Sequence, residues 1–259
     1  MTETRTRGLV GGPRPRWWPA QLVGLRSETR SARTLDFDVP GWPGHLAGQH
    51  VDVRLTAADG YSAQRAYSIS EPVEDEKISI TVQQVSEGEV SPYLVEDMEL
   101  GDQLEVRGPI GGWFVWQPSP EAPVEQPILL VGGGSGVVPL MAMVRERARL
   151  RSRAPFRLVY SVRDPDQVMY ADELDRRALE DGLLVDVLYT REAPIGPDRP
   201  PGRIAAADLV TPPTWPSGVP PRAYVCGPTG FVEHTIGLLL GLGFTNKTIR
   251  AERFGPSGS

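Results

Sequence analysis

The chain of 259 residues contains a single cysteine, Cys226, and only three histidines. One cysteine excludes a disulfide within the chain, and it also excludes an internal iron–sulfur cluster, which needs several cysteine ligands. The histidines, His45, His50 and His234, are scattered, and no His-Glu-x-x-His or paired-cysteine spacing accompanies them. We therefore expect no structural or catalytic metal.

Long apolar runs are also missing, because no stretch of 18 consecutive apolar residues occurs, and we therefore expect no membrane span. Residues 1–16 are rich in Arg, Gly and Pro and lack the apolar segment of a secretory signal, which indicates a mobile arm and a cytoplasmic protein. The formal net charge of −6 argues against nucleic acid as the main partner.

Short segments in which apolar and polar residues alternate, separated by turns, characterise residues 17–116. The segments are residues 33–39, 51–55, 78–82 and 103–107. This spacing predicts an antiparallel β-barrel as the first domain, with a sandwich as the alternative and one short helix at residues 91–98. The three prolines within residues 117–126 predict a linker after it.

From residue 127 to the end the pattern changes to alternating strands and helices. The predicted strands are residues 128–131, 156–162, 183–189, 222–226 and 248–252, and the predicted helices are residues 139–151, 171–180, 205–209 and 230–242. Such alternation predicts a second domain of the α/β class, with a doubly wound parallel sheet that binds ligands at the carboxyl ends of its strands.

Three consecutive glycines separate two apolar runs at the start of this second domain, in the segment Gly132-Gly133-Gly134-Ser135-Gly136. Glycines at such a junction let the backbone approach a ligand closely, and the N-terminus of the following helix offers free N–H groups and a partial positive charge. The segment therefore predicts a phosphate site. No Gly-Lys-Ser/Thr follows, so it is not a Walker sequence.

A second candidate nucleotide site is Arg65-Ala66-Tyr67-Ser68 in a strand-like segment of the first domain. Alternate residues of a strand share a face, so Arg65 and Tyr67 point the same way. A guanidinium matches the oxygens of a pyrophosphate, and a tyrosine can stack on an aromatic ring. The alternative is a surface arginine and a core tyrosine on an edge strand. Two nucleotide sites on one chain indicate electron transfer between two cofactors.

Six motifs follow one another in the order of a known family, and the chain resembles the ferredoxin–NADP reductase superfamily of flavoenzymes from about residue 17 to its end. The resemblance is to the bacterial branch without a fused ferredoxin domain. The motifs are Arg65-Ala66-Tyr67-Ser68, Gly88-Glu89-Val90-Ser91, Gly108-Pro109-Ile110-Gly111, the glycine segment at 132–136, Cys226-Gly227-Pro228-Thr229 and Glu252-Arg253-Phe254.

The resemblance implies an FAD-dependent NAD(P)H oxidoreductase, in which a hydride reaches flavin N5 close to Ser68. The residues that it places at FAD are Arg65, Ala66, Tyr67, Ser68, Gly88, Val90, Ser91 and Phe254. Those that it places at the nicotinamide nucleotide are Gly133, Gly134, Ser135, Gly136, Ser161, Arg163, Arg191, Cys226, Gly227 and Pro228. Those that it implies at the reacting centre are Ser68, Cys226, Glu252 and Phe254. Ser91 by itself is also compatible with an ordinary helix-capping serine.

The end of the chain resembles the carboxyl tail with which the family covers the flavin ring. Phe254 matches the covering aromatic, although the plant-type pattern has Tyr there and residues 255–259 follow it here. Either Phe254 gates the ring less strictly or the tail folds over the adenine end of FAD. Trp113 or Phe114 is a further candidate for flavin contact, and we expect at least one of them in the core. No motif supports Cys226 as a nucleophile, so we expect it to pack beside the hydride path.

The choice of coenzyme depends on charge, because NADPH carries a 2′-phosphate that NADH lacks. Arg163 and Arg191 lie at predicted strand ends where that phosphate is bound, and Ser161 adds a hydroxyl. Asp164 and Glu192 complicate the pattern, since each either neutralises its neighbour or binds a ribose. We favour NADPH, with NADH as the alternative and rim salt bridges as the structural explanation of both arginines.

No cluster or haem motif lies in the chain, so we expect a separate electron acceptor. The candidates are a ferredoxin, a flavodoxin or an oxygenase or other metalloenzyme component, with ferric chelates and free flavin as further options. Two other functions stay open: an electron-relay subunit of a larger complex, and a nucleotide-binding sensor without catalysis.

Overall fold

In the computed structural model the chain is described over residues 16–57, 59–85, 87–118, 125–194 and 199–255. The arm expected at residues 1–16 lies outside these ranges except for its last residue. Most of the expected linker, residues 119–124, and the last four residues of the chain also lie outside them.

A six-stranded antiparallel sheet forms the first half. Its strands are β1 (Arg16–Thr29), β2 (Ala32–Asp38), β3 (His50–Thr56), β4 (Ser62–Ser68), β5 (Lys77–Gln83) and β6 (Gln103–Ile110), in the order β4-β3-β6-β1-β2-β5. The two edges meet where Ile69 bridges Ile80 and the Ser70 N–H donates to the Ser79 carbonyl at 2.8 Å. This closure makes the sheet a barrel and confirms the expected antiparallel architecture.

The inward-facing side chains of the barrel alternate with outward-facing ones, as the sequence pattern predicted. Leu35 and Phe37 of β2, Val53 of β3 and Ile80 of β5 are fully buried in one core. Burying each of these side chains contributes about 2 kcal/mol, because apolar surface leaves water.

Two elements of the barrel differ from expectation. The helix expected at 91–98 is a single π-helical turn, Tyr93–Asp97. The long strand β1 had no counterpart in the sequence analysis, because Pro19 interrupts its pattern and its register against β2 shifts between Leu22 and Gly24. A bulge of this kind bends the strand and removes the strict period of two on which the prediction depends.

The second half confirms the doubly wound α/β domain. Its elements are β7 (Ile128–Gly133), α1 (Val137–Arg149), β8 (Phe156–Val162), α2 (Ala171–Glu180), β9 (Leu184–Tyr189), β10 (Arg222–Pro228), α3 (Thr229–Gly241) and β11 (Ile249–Phe254). Short 3-10 helices occupy Gly134–Gly136, Pro165–Gln167 and Ala206–Leu209. All strands are parallel, in the order β11-β10-β7-β8-β9.

Helices cover both faces of this sheet. Leu140 of α1 and Leu174 of α2 pack in one core, and Val232 and Leu239 of α3 pack in the other. The strand order changes direction between β7 and β10, and a doubly wound sheet opens a crevice for ligands at that point. None of the helices within the described residues is long and apolar enough to cross a bilayer.

Candidate functional site

The carboxyl ends of β7 and β10 lie side by side, with Gly132 opposite Cys226. This pairing brings the glycine segment and the Cys226-Gly227-Pro228 segment together at the crevice. A side chain at Gly136 would overlap the carbonyl oxygen of Cys226, and one at Gly133 would lie 2.8 Å from the ring of Phe231. Contacts within the protein therefore require glycine at these two positions. The sequence analysis had attributed both glycines to the close approach of a ligand.

Gly134 and Ser135 are the accessible part of this segment. Both are partly exposed, whereas Gly132, Gly133 and Gly136 are buried. Gly134 has a φ of +54°, in the left-handed region, and a Cβ added there would meet only Gln83 Oε1 of the barrel, at 3.8 Å. No side chain caps the 3-10 turn Gly134–Gly136 or α1, which continues it, and the Val137 N–H already donates to the Gly134 and Ser135 carbonyls. An anionic ligand at this helical N-terminus would therefore bind the N–H groups of the 3-10 turn.

The two expected flavin-phosphate contacts lie together on the barrel. Arg65 projects from β4 and its Nη2 donates to Glu89 Oε2 at 3.0 Å, within the Gly88–Ser91 segment. Tyr61 donates its hydroxyl to the other carboxylate oxygen of Glu89 at 2.8 Å. The arrangement places a guanidinium beside a turn of backbone at an exposed edge, as a site for a pyrophosphate requires.

The Gly88–Ser91 segment is held by its own hydrogen bonds. The Gly88 N–H donates to the Val85 carbonyl, and the buried Ser91 hydroxyl accepts from the Val85 N–H at 3.0 Å. Val90 is buried in the barrel core. Ser91 therefore closes this loop, whereas the π-helical turn that follows has no side-chain cap. Its role at FAD stays a prediction.

Arg65 and Tyr67 share one face of β4, as expected, while Ala66 points to the other face and is exposed. Tyr67 packs against the barrel core, and burial raises the pKa of its hydroxyl, so that it stays protonated. A protonated phenol keeps its hydrogen-bond donor, which a ribityl chain or a phosphate can accept.

Three buried polar atoms without a hydrogen-bond partner among the described residues surround the junction of the two domains: Ser68 Oγ, His50 Nδ1 and Glu252 Oε2. Ser68 and His50 are opposite each other on β4 and β3. His50 Nδ1 approaches Glu252 Oε1 of β11 to 3.3 Å without the angle of a hydrogen bond. Buried polar groups are almost always paired, so this cluster indicates a place where a ligand supplies the partners.

Cys226 and Glu252 are neighbours on β10 and β11 in this cluster. Burial, with a further contribution from the Glu252 carboxylate, raises the pKa of the Cys226 thiol well above its usual range. A thiol held neutral is a poor nucleophile, which supports the expected packing role. His50 was missed as a site residue because its partner lies in the other domain, and no sequence pattern connects them.

The three aromatic residues considered for flavin contact have different surroundings. Phe254 ends β11 beside Pro228 and is partly buried against the core of the α/β domain. Phe114 is buried and packs edge to face on Tyr224 at 5.5 Å, so it is a core residue. Trp113 is 62% exposed, with the guanidinium of Arg250 5.2 Å from its ring.

The candidates for coenzyme selection also come together. Ser161 is opposite Gly133 on β8, and the Arg191 N–H donates to the Arg163 carbonyl at 2.9 Å. Both arginine side chains are exposed, and no ion pair involves either of them among the residues that the structure describes. The alternative of rim salt bridges with Asp164 or Glu192 thus has no support within these ranges.

A cleft of about 1480 Å³ lies elsewhere, between the barrel and helices α1 and α2. Charged side chains of both signs line it, among them Arg26, Glu71, Arg145 and Glu173. None of the expected site residues lines this cleft, so its size does not make it the redox site. Within the described ranges no group of three or more His, Cys, Asp or Glu side chains is placed to hold a metal ion.

The contacts described above offer groups of the kind that two nucleotide cofactors require. The barrel offers a guanidinium beside a turn, and the crevice offers an uncapped helix N-terminus next to an open glycine. Unpaired polar atoms lie between them.

Two family models match the chain, one in each of the two domains. The model described as "Oxidoreductase FAD-binding domain" matches residues 19–115, and the one described as "Oxidoreductase NAD-binding domain" matches residues 130–236. Both lie inside the domains expected from sequence, whose outer boundaries stay predictions.

Similar proteins include two curated relatives and one solved structure. The chain is 30% identical to a subunit of the 1,2-phenylacetyl-CoA epoxidase of Escherichia coli, over 92% of this chain and 68% of that one. It is 29% identical to the glycine betaine monooxygenase reductase subunit of Chromohalobacter salexigens, over 92% and 64%. A crystal structure of an Amycolatopsis cytochrome P450 reductase matches with a TM-score of 0.79 and 25% identity, over 98% and 74%. The chain spans about half to two thirds of the length of its curated relatives.

Proposed function

The chain belongs to the ferredoxin–NADP reductase superfamily of flavoenzymes, and from that premise we propose that it transfers a hydride from NADPH to FAD and passes the electrons to a separate oxygenase component. FAD and a nicotinamide nucleotide are the cofactors of the family's two domains. The acceptor and the preference for NADPH are our proposals. Ferredoxin or flavodoxin is the second choice of acceptor.

The observation that carries this proposal is the cluster of unpaired polar atoms between the two domains. Ser68 and His50 come from the barrel and Glu252 comes from the α/β domain. Hydride transfer needs two rings in contact at such a boundary, in a place from which water is excluded. Cys226, at the edge of the cluster, has no exposed surface.

On the barrel side, Arg65 and the backbone of the Gly88–Ser91 segment would bind the FAD pyrophosphate. Tyr67 would stack on the flavin with its hydroxyl proton retained, and Ser68 would donate a hydrogen bond to N5. When bound, FAD supplies a ring that accepts two electrons together and releases them one at a time. The protein contributes position and electrostatics.

On the α/β side, Gly134, Ser135 and the N-terminus of α1 would bind the coenzyme pyrophosphate. Arg163 and Arg191 are adjacent, exposed and positively charged at the strand ends, which favours the 2′-phosphate of NADPH. Asp164 and Glu192 leave NADH as the alternative coenzyme. NADPH is a reductant of the cytoplasm, and we place the protein there.

At the junction, the thiol of Cys226 would lie beside the nicotinamide as a small neutral group. Glu252, held near His50, would place its carboxyl group beside the reacting rings. Phe254 would cover the flavin until the nicotinamide replaces it.

The oxygenase acceptor is supported by the similar proteins. By their names they are a subunit of an epoxidase, a reductase subunit of a monooxygenase and a cytochrome P450 reductase. Each name describes a protein that works with an oxygenase. The 259 residues contain one cysteine, too few to hold an iron–sulfur cluster, so we propose that the electrons leave these two domains from the flavin itself.

Anaerobic stopped-flow spectroscopy of the purified protein tests the proposal. The protein should be yellow, with one FAD per chain, and should bleach faster with NADPH than with NADH at equal concentration. A screen of acceptors should then compare an oxygenase component, a ferredoxin and a flavodoxin, with ferricyanide as an unselective control. A protein that binds nucleotide but holds no flavin would overturn the proposal in favour of a sensor.

A further inference from the structure

The outer face of β2 and β5 packs against the α/β domain and is unusually polar. Thr34, Ser79, Thr81 and Gln83 all lie on this face, and Thr34 and Thr81 are buried. A contact between domains that relies on hydrogen bonds is directional, because each bond constrains both distance and angle. Such a contact can fix how one domain is oriented against the other.

Arg145 of α1 is the first anchor across this contact. It is 6% exposed, and its Nη1 donates to the Ser70 carbonyl at 2.8 Å and lies 3.1 Å from Glu71 Oε1. Its Nε and Nη2 bind Glu173 of α2 on its own domain. One guanidinium thereby joins α1 and α2 to the backbone of the barrel.

The barrel segment that Arg145 holds is part of the candidate site. Ser70 is two residues beyond Ser68, and the Ser70 N–H is already bound to the Ser79 carbonyl. At its other end, α1 begins directly after the glycine segment at 132–136. A helix rises 1.5 Å per residue, so the part of α1 between the glycine segment and Arg145 is about 13 Å long. This rigid part of the helix connects the glycine segment, through Arg145, to the strand end that carries Ser68.

Tyr170 is the second anchor. Its hydroxyl donates to Thr81 Oγ1 at 2.5 Å, Thr81 shares a hydrogen bond with Thr34 at 2.7 Å, and the Thr34 hydroxyl donates to Glu28 at 2.6 Å. The ring of Tyr170 lies 4.7 Å from the Arg145 guanidinium. The two anchors are thus one connected network.

The backbone of Tyr170 supports this assignment. Its φ is +60°, in the left-handed region that a bulky side chain rarely adopts. Such a conformation persists only where the surroundings hold it. Here it directs the fully buried hydroxyl across the domain boundary to the barrel.

We propose that Arg145 and Tyr170 are positioning residues that set the separation of the nicotinamide from the flavin by orienting the α/β domain on the barrel. The inference rests on the proposed function for its consequence in catalysis. Neither residue touches a reacting group. They act through the strand end at Ser68 and through the helix that follows the glycine segment.

The test uses Tyr170→Phe, which removes only the hydroxyl, and Thr81→Val, which removes its acceptor. The matched control is Tyr160→Phe. Tyr160 is a buried tyrosine of the same domain, and the hydrogen bonds of its hydroxyl within the described part of the chain are to Gln167 and Met169 of that domain. We expect Tyr170→Phe to slow flavin reduction about tenfold, because misplacement by about 1 Å can cost a hundredfold. FAD content and the coenzyme Kd should stay within twofold of the parent, and Tyr160→Phe should match the parent.

A distance measurement supplies the readout that does not depend on activity. Leu100 of the barrel and Leu179 of α2 are exposed, and the native cysteine is buried, so Leu100→Cys and Leu179→Cys can carry a spin-label pair. Tyr170→Phe should broaden the distance distribution relative to the parent and to Tyr160→Phe. Thr81→Val should broaden it equally, and the double variant should add nothing.

If the distance distribution of Tyr170→Phe is the same as that of the parent, the positioning role is wrong. It is also wrong if the distance distribution broadens while the rate of flavin reduction stays the same. If the parent protein is not reduced by either nicotinamide, the proposed function fails, but the distance distributions still decide whether the network orients the domains.

Discussion

His50 Nδ1 lies 3.3 Å from Glu252 Oε1, and this approach joins the third strand of the barrel to the last strand of the α/β domain. His50 is opposite Ser68 on one side, and Glu252 is opposite Cys226 on the other. The contact therefore joins a residue beside the expected flavin site to one beside the expected nicotinamide site.

We expect His50→Gln and Glu252→Gln each to slow flavin reduction about tenfold or more, and the double variant to be no slower than the slower single one. The two side chains act through one contact, and contacting residues are not additive. Stopped-flow reduction of the four proteins measures the coupling, with His234→Gln at an exposed position of α3 as the control. Effects that multiply would contradict the relationship.

Ser68→Ala should separate stability from catalysis. The Ser68 hydroxyl is buried without a partner among the described residues, so its removal from the apoprotein should be neutral or stabilising by up to about 1 kcal/mol. Flavin reduction should nevertheless fall about tenfold. Thr235→Val is the matched control, because the Thr235 hydroxyl is equally buried and unpartnered among the described residues but belongs to α3, which contributes no atom to the cluster at the junction. Equal rates for Ser68→Ala and the parent would remove Ser68 from the reacting centre.

Arg65→Ala should weaken FAD binding by one to two orders of magnitude, because a hydrogen bond to a charged group contributes about 1.5–3 kcal/mol. The Kd of the coenzyme should change much less. Fluorescence titration of the apoprotein with FAD measures the first quantity. Arg54→Ala on β3 removes a guanidinium that binds Glu105 instead, and should leave FAD binding unchanged. Identical flavin content in Arg65→Ala and the parent would count against the role.

Arg191→Glu should lower the ratio of kcat/KM for NADPH to that for NADH about tenfold or more, because it replaces an exposed cation at the strand end with an anion. Arg153→Glu makes the same change of charge, but Arg153 precedes the amino end of β8, whereas the coenzyme would bind at the carboxyl ends of the strands. It should therefore leave the ratio unchanged. Steady-state rates with ferricyanide give both ratios, and equal ratios in the two variants would exclude Arg191.

The raised pKa of Cys226 predicts a dependence of stability on pH. A native pKa above the unfolded one means that the folded state binds the proton more tightly, so this stabilisation is complete below the ordinary thiol value of 9.0 and is lost as the pH rises above it. The loss is about 1.4 kcal/mol per pH unit. Cys226→Ala should therefore lose less stability than the parent between pH 8 and pH 10.

Urea unfolding of both proteins at pH 8, 9 and 10 measures that difference. The cavity left by the substitution lowers stability equally at each pH, and the tyrosines contribute equally to both proteins. Parallel pH profiles would contradict the pKa shift.

Most of the strands and helices could be predicted from the sequence, because their period of two or 3.6 is a local property of neighbouring residues. The order of the six motifs also determined the family. The strand β1 escaped prediction because Pro19 and a shift of register break its period.

Only the tertiary structure decided which distant residues meet. It brought His50 to Glu252, Arg65 to Glu89 and Tyr170 to Thr81, and it showed that Gly133 and Gly136 are required by Phe231 and Cys226. These contacts join segments that are far apart in the chain, and no local periodicity records them. The sequence by itself determined the elements, the two domains and the chemistry available, whereas the packing of one domain on the other determined where that chemistry is assembled.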